Sequence, residues 1–226
     1  MDLIELLAPA VGIGFLSGFR LYLTVLVLGT AIRFDLLQAA GKLSGLAVLA
    51  DWKVMAGAGL LCAVEFVADK VPWFDSMWDA VHTFIRPVAA AVLAAAAMRE
   101  MDPALKTIVA LLAGGVALSS HSAKAATRLA ANHSPEPFSN WALSLGEDVA
   151  APVGLWLLLA HPFVLLGIVI VFLVVFVLLV RRVWRWMQLS RDRQGAGSHS
   201  IGSSRTFSNS SAYNAPAGDS SCLKKA

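Results

Sequence analysis

Charge is scarce in this 226-residue chain: 15% of its residues are Asp, Glu, Lys or Arg and 58% are hydrophobic. A soluble domain carries about 25% charge and about 45–50% apolar residues. The shortage excludes a disordered protein and an ordinary cytosolic enzyme. Cysteine is nearly absent. Cys62 lies in an apolar stretch and Cys222 near the end, so a disulfide framework and a metal-type cysteine spacing are both excluded. Cys222 is followed by four residues and forms no prenylation box. Basic residues are missing ahead of the first apolar segment, which opens Met1-Asp2-Leu3-Ile4-Glu5. A signal peptide needs a positive start, so the first helix is expected to remain as an uncleaved span. The formal net charge of +3 comes from the tail, where five basic residues face Asp192 and Asp219, while positions 1–189 balance. No nucleic-acid partner is therefore expected.

Long apolar runs are what the chain has in place of charge. A membrane helix needs about 20 mainly apolar residues. Pro162 to Val180 contains no charge and ends in Arg181-Arg182-Val183-Trp184-Arg185-Trp186, an aromatic and basic belt. Leu6 to Ile32 is long enough but carries Arg20. Val54 to Ala68 is interrupted by Glu65. Val88 to Met98, Thr107 to Leu118 and Val149 to Ala160 are each too short unless they extend through polar neighbours. Those neighbours must then face protein or water rather than lipid. The expected fold is all-α and polytopic, with about six transmembrane helices. The expected domain is 1–189, followed by a disordered Ser/Gly-rich tail, 190–226.

Pro72 to Pro87 reads as an amphipathic or re-entrant helix bounded by its prolines. Phe74, Met77, Trp78, Val81, Phe84 and Ile85 recur at helical spacing, and Asp75, Asp79, His82 and Arg86 share the other face. The order of small residues, then cations, then acids recurs along the chain. Gly12, Gly14, Gly18 and Arg20 precede Glu65 and Asp69; Gly114, Gly115, Lys124 and Arg128 precede Glu147 and Asp148. This layout allows an inverted three-helix repeat, a common transporter plan with sites at interrupted helices.

One stretch is specific enough to carry a resemblance. Ser17-Gly18-Phe19-Arg20-Leu21-Tyr22, Val64-Glu65-Phe66-Val67-Ala68-Asp69-Lys70-Val71-Pro72 and Asp75-Ser76-Met77-Trp78-Asp79-Ala80-Val81-His82-Thr83-Phe84-Ile85-Arg86-Pro87 together resemble the bacterial integral membrane proteins of domain-of-unknown-function family 4126. The resemblance covers roughly residues 5 to 165. It implies a fold and a membrane location but no established activity and no catalytic residues.

Ionisable groups inside a membrane are rare and mark ion pairs, substrate paths or proton relays. Arg20, Glu65, Asp69, Lys124, Glu147 and Asp148 are the expected site. In it Glu65 and Glu147 carry a proton or cation, and Arg20 and Lys124 supply counter-charge. The plain alternative pairs Arg20 with Glu65 or Glu147 for structure alone. Asp69 beside Lys70 is expected at the interface. Asp75, Asp79, His82 and Arg86 are expected as a secondary, solvated polar face, a more economical reading than a metal site with His121. Ser119-Ser120-His121-Ser122 lacks any Gly-x-Ser-x-Gly setting, so small-residue packing outweighs a serine nucleophile. No metal or cofactor is expected. The partners expected are the lipid bilayer and a small ion or polar solute. The leading function is a small transporter or channel-like protein, the competing one a membrane scaffold or assembly factor, and the third an intramembrane enzyme. Arginines after the last span place the C-terminus in the cytoplasm of a cell inner (plasma) membrane by the positive-inside rule. Six spans would place the N-terminus there too.

Overall fold

The computed structural model describes residues 3–36, 44–98, 101–132 and 137–208, and every regular element among them is helical. In chain order these are α1 (Leu3–Arg33), a short 3-10 helix (Ser44–Ala50), α2 (Trp52–Ala68), α3 (Pro72–Ala97), α4 (Pro103–Asn132), α5 (Pro137–Ala160) and α6 (Pro162–Ser208). Helices α3 to α6 each open on proline. The first helical N–H has no intrahelical partner, so proline loses nothing there. Asp51 and Asp102 cap α2 and α4, accepting from the backbone N–H of Lys53 at 2.8 Å and of Ala104 at 2.9 Å.

Five helices are long and apolar enough to cross a membrane, through Leu7–Arg33, Trp73–Ala97, Pro103–Ala131, Ala142–Ala160 and Pro162–Gln188. The polytopic all-α architecture is as expected, with two revisions. The second apolar segment forms α2, 17 residues long, short of the about 20 a crossing takes. Pro72 to Pro87 and the alanine-rich segment after it are one helix, α3, with Pro87 inside it rather than at its end. Eleven alanine-rich residues reach spanning length only by continuing through the polar segment before them. A proline is tolerated inside a membrane helix when neighbouring groups satisfy the freed backbone.

Side-chain register sets the helix directions in the unit Met1–Phe176. Gly14 and Gly18 of α1 meet Ala113 and Ala117 of α4, so the two helices run in the same sense. Tyr22 meets His82 and Gly18 meets Arg86, so α3 runs back along α1. Leu16 meets Gly154, and Gly12 meets Leu158 and Leu165; Phe15 packs on Phe172. Hence α5 is antiparallel to α1, and the start of α6 is parallel to it. Gly29 lies beside Met55 and Gly59 beside Leu26, so α2 retraces only the second half of α1 and α3 continues from there. The glycines on α1 exist for this packing. A Cβ on Gly14 would stand 2.6 Å from the Ala113 carbonyl oxygen and 2.9 Å from its Cα, a backbone clash that no rotamer relieves.

Helix α3 is turned with its polar side inward. Trp73 and Phe84 are 73% and 77% exposed, while Asp75 and Arg86 are 1% and 0% exposed. The expected solvated face is therefore the buried one. Lipid is a poorer home for charge than a protein interior offering counter-charges, so the apolar stripe turns out.

The described residues of the second unit, Val177–Ala226, are the continuation of α6. Leu178, Leu179, Trp184 and Trp186 are exposed on it. The helix runs on through 190–208, where the start of a disordered tail is expected from composition. No proline precedes Pro216 to end it. The rest of the expected tail, 209–226, lies outside the described residues.

Candidate functional site: an ion-pair layer at a helix break

Arg20 interrupts α1. Its backbone leaves the helical region (φ −145°, ψ 87°), so carbonyls before the break lose their i+4 donors. Arg86 of α3 replaces them: its Nη1 donates to the Gly18 carbonyl at 3.0 Å and the Phe19 carbonyl at 3.4 Å. Ser120 of α4 donates to the Phe15 carbonyl at 3.0 Å. A guanidinium at the carbonyl end of a half-helix also meets the negative pole of its dipole.

Four helices converge beside this break, through the end of α2, the start of α3, the end of α4 and the middle of α5. Each brings charge. Asp69, at the end of α2, is fully buried and accepts ion pairs from Arg20 at 2.8 Å, Arg128 at 3.3 Å and Lys124 at 3.5 Å. Arg128 is the hub. It grips Glu147 through Nε (3.0 Å) and Nη2, reaches Asp75 at 2.7 Å, and donates to the Asp69 backbone carbonyl at 3.0 Å. The planar fork of arginine suits this many-sided role, which a lysine cannot fill. Lys124 also pairs with Glu147 at 3.3 Å. Arg20 pairs with Asp148 at 2.5 Å, and Asp148 with Lys70 at 3.3 Å. Lys70 donates to Ser144 at 3.1 Å and lies 3.8 Å over the Phe66 ring.

A second group adjoins the first. Arg86 pairs with Glu65 at 2.5 Å and donates to His121 Nδ1 at 2.8 Å. Arginine only donates, so His121 Nδ1 accepts and Nε2 carries the hydrogen. That Nε2–H faces the Asp79 carbonyl and the Thr83 hydroxyl, both at 3.1 Å. His82 is the opposite tautomer. Its Nδ1 faces the Trp78 carbonyl at 2.8 Å and must donate, so Nε2 accepts from the Tyr22 hydroxyl at 2.9 Å.

These positions revise the sequence reading. Arg20 pairs closely with Asp69 and Asp148, and lies 3.9 Å from Glu147. Glu65 belongs to Arg86. Asp69 sits at the centre of the layer rather than at the interface. The four polar residues of α3 are interior: Asp75 and Arg86 make strong pairs, His82 hydrogen-bonds Tyr22, and Asp79 is buried beside Arg86. Arg128, left outside the expected site, holds the layer together; its place after Lys124 at helical spacing was the available signal. No group of three or more His, Cys, Asp or Glu among the described residues is placed to hold a metal ion. Ser119 and Ser120 donate to backbone carbonyls.

Two cavities border the layer. One, about 450 Å³, lies between α2 and α5 and reaches Asp69, Lys70, Ser144 and Asp148. The other, about 660 Å³, is lined by α1, α4, α5 and α6 and reaches Lys124, Gly146 and Glu147. At 100° per residue, Ser144, Leu145 and Asp148 fall on one face of α5 and Leu143, Gly146, Glu147 and Ala150 on the opposite face. The adjacent acids Glu147 and Asp148 thus each serve one cavity.

Residues 7–182 match the family model described as Domain of unknown function (DUF4126). The chain belongs to the DUF4126 family. The match takes in the whole ion-pair layer, and it extends past residue 165 to include the last apolar span. No curated protein and no solved structure matches the chain. DUF4126 membership carries no activity, so the chemistry rests on the layer itself.

Proposed function

We propose that this DUF4126 protein is a small transporter or channel-like membrane protein, passing a small ion or polar solute through the ion-pair layer beside α5. One observation carries the reading: two cavities reach the same layer along different faces of one helix, one at Asp69 and Asp148 and the other at Glu147. Asp69, Lys124, Glu147, Asp148 and Arg20 form the barrier between them. Exchange of partners among these groups opens one side or the other. The interrupted α1 fits the same plan, since broken helices in transporters present half-helix ends to the transported species.

Gly146 offers a clean test. A Cβ there meets nothing within 4 Å, so a side chain can be added at the lining of the larger cavity without a clash at its first atom. In proteoliposomes screened for proton, sodium, potassium and chloride flux, the wild type is expected to exceed empty vesicles for one ion. Gly146→Leu is expected to fall to the empty-vesicle level with an unchanged melting temperature. The competing scaffold reading draws on the close pairing of the buried cations Arg20, Arg86, Lys124 and Arg128. It prevails if the wild type moves none of these ions or Gly146→Leu conducts normally.

Orientation follows from the alternating passes. Five crossings would put the N-terminus opposite the end of the last span. The positive-inside rule supports a cytoplasmic position for that end, which carries Arg181, Arg182 and Arg185. Arg33 and Lys53, at the far end of α1, then fall on the cytoplasmic side as well. A six-span arrangement would instead put both termini there. Single cysteines introduced at positions 2 and 215 of a Cys62→Ala, Cys222→Ala chain separate the two arrangements. The impermeant thiol reagent is expected to label the first and not the second in intact cells. Equal protection of both would restore the six-span arrangement.

A further inference from the structure

The buried charges of the layer do not cancel. Among the described residues, Arg20, Arg86, Lys124 and Arg128 are buried against Glu65, Asp69, Asp75, Asp79 and Glu147. Asp148 and Lys70 pair at the rim. Both buried histidines make contacts that suit their neutral forms. The surplus carboxylate can be named. Glu65 has Arg86 at 2.5 Å, Asp75 has Arg128 at 2.7 Å, Asp69 has Arg20 at 2.8 Å, and Glu147 has Arg128 and Lys124. Among the described residues, Asp79 has only the Arg86 nitrogen at 3.9 Å as an ion-pair partner, the same nitrogen that Glu65 already holds. Asp79 is 6% exposed, and its Oδ1 has no hydrogen-bond partner; neither has Glu65 Oε2, in a residue fully buried.

We infer that Asp79 is a binding site for a small monovalent cation, a proton or an alkali-metal ion, taken up between Asp79 and Glu65 beside Arg86. A carboxylate removed from water without its own counter-charge is strongly unfavourable, and a cation bound only in the folded state stabilises that state by mass action. The surroundings define the site from every side. Tyr22 and Arg20 come from α1 and Glu65 from α2. Asp75, His82 and Arg86 come from α3 itself, and His121 and Lys124 from α4. Because Arg86 also holds the carbonyls of Gly18 and Phe19, a cation at Asp79 bears on the guanidinium that caps the α1 break. The inference does not require transport, since a protein can hold this cation without moving it.

The test uses the purified full-length chain in detergent and reads the melting temperature in two arms. One arm varies pH at constant salt. The other exchanges choline chloride for sodium or potassium chloride at constant ionic strength and pH. The wild type is expected to rise by several degrees in one arm: on acidification for a proton, or with the metal ion otherwise. Asp79→Asn is expected to melt at or above the wild type in the absence of the stabilising cation and to lose that response. Asp51→Asn, at an exposed cap of α2 outside the layer, is expected to keep it. The inference is overturned if the wild type responds in neither arm or if Asp79→Asn responds as the wild type does. It is equally overturned if Asp79→Asn fails to accumulate or melts well below the wild type, because the charge is then a structural partner of Arg86.

Discussion

Arg128→Gln is expected to eliminate most folded protein from the membrane. The change strands the buried Asp75 carboxylate, takes one cation each from Asp69 and Glu147, which keep Arg20 and Lys124, and leaves the Asp69 carbonyl at the end of α2 without its donor. Breaking one buried pair by removing a partner costs about 3–5 kcal/mol, against a total stability of about 5–15 kcal/mol for a typical domain. Membrane yield and the melting temperature of whatever is recovered are the measurements. Arg128→Lys should rescue only in part, because a point charge cannot grip Glu147 through two nitrogens and still reach Asp75. Adding Asp75→Asn to Arg128→Gln removes one stranded charge and should recover some yield. Near-normal yield and melting of Arg128→Gln alone would falsify the hub role.

The second large effect concerns Glu65 and Arg86. Glu65→Gln keeps the shape but removes the charge that Arg86 meets at 2.5 Å, and a loss of about 3–5 kcal/mol is expected for a pair this buried. Arg86→Gln should be worse, since it also frees the Gly18 and Phe19 carbonyls at the α1 break. The double mutant should be markedly more stable than the sum of the two losses, because each single change strands the other charge. The same cycle run with Arg20→Gln should show a much smaller coupling, as Arg20 answers to Asp69 and Asp148. Urea or thermal unfolding of the four proteins decides this. A strong Glu65–Arg20 coupling with none to Arg86 would reject the pairing described above.

Much of the site was legible as an inventory. Glu65, Asp69, Glu147 and Asp148 stand out because charge is so rare in the surrounding apolar runs. The shortness of those runs already required polar residues to continue the helices inside the protein. What the inventory lacks is partners. Arg86 and Glu65 are 21 residues apart, and Arg128 and Asp75 are 53 apart. Which cation meets which acid depends on the rotation and stagger of helices packed together late in the chain's path. The order of Arg20, Glu65 and Arg86 along the chain says nothing about that. Asp69 illustrates the same limit. A carboxylate followed by lysine and proline at a helix end looks like an interface, and becomes a centre only when α4 and α5 close over it.

The sequence by itself determined the medium and the material. Low charge and long apolar runs leave only a helical membrane protein, because lipid cannot satisfy a backbone that does not satisfy itself. The tertiary structure decided which way each face points and which segments join into one helix. Periodicity along Trp73 to Ile85 defines two faces of α3 but not their surroundings, since an amphipathic helix is equally consistent with water outside or ion pairs inside. The counter-charges that settle the matter, Arg128 and Glu65, come from other helices. Likewise α2 looks like a sixth span from its composition. In the structure it forms a 17-residue helix packed along the second half of α1, shorter than the other apolar helices.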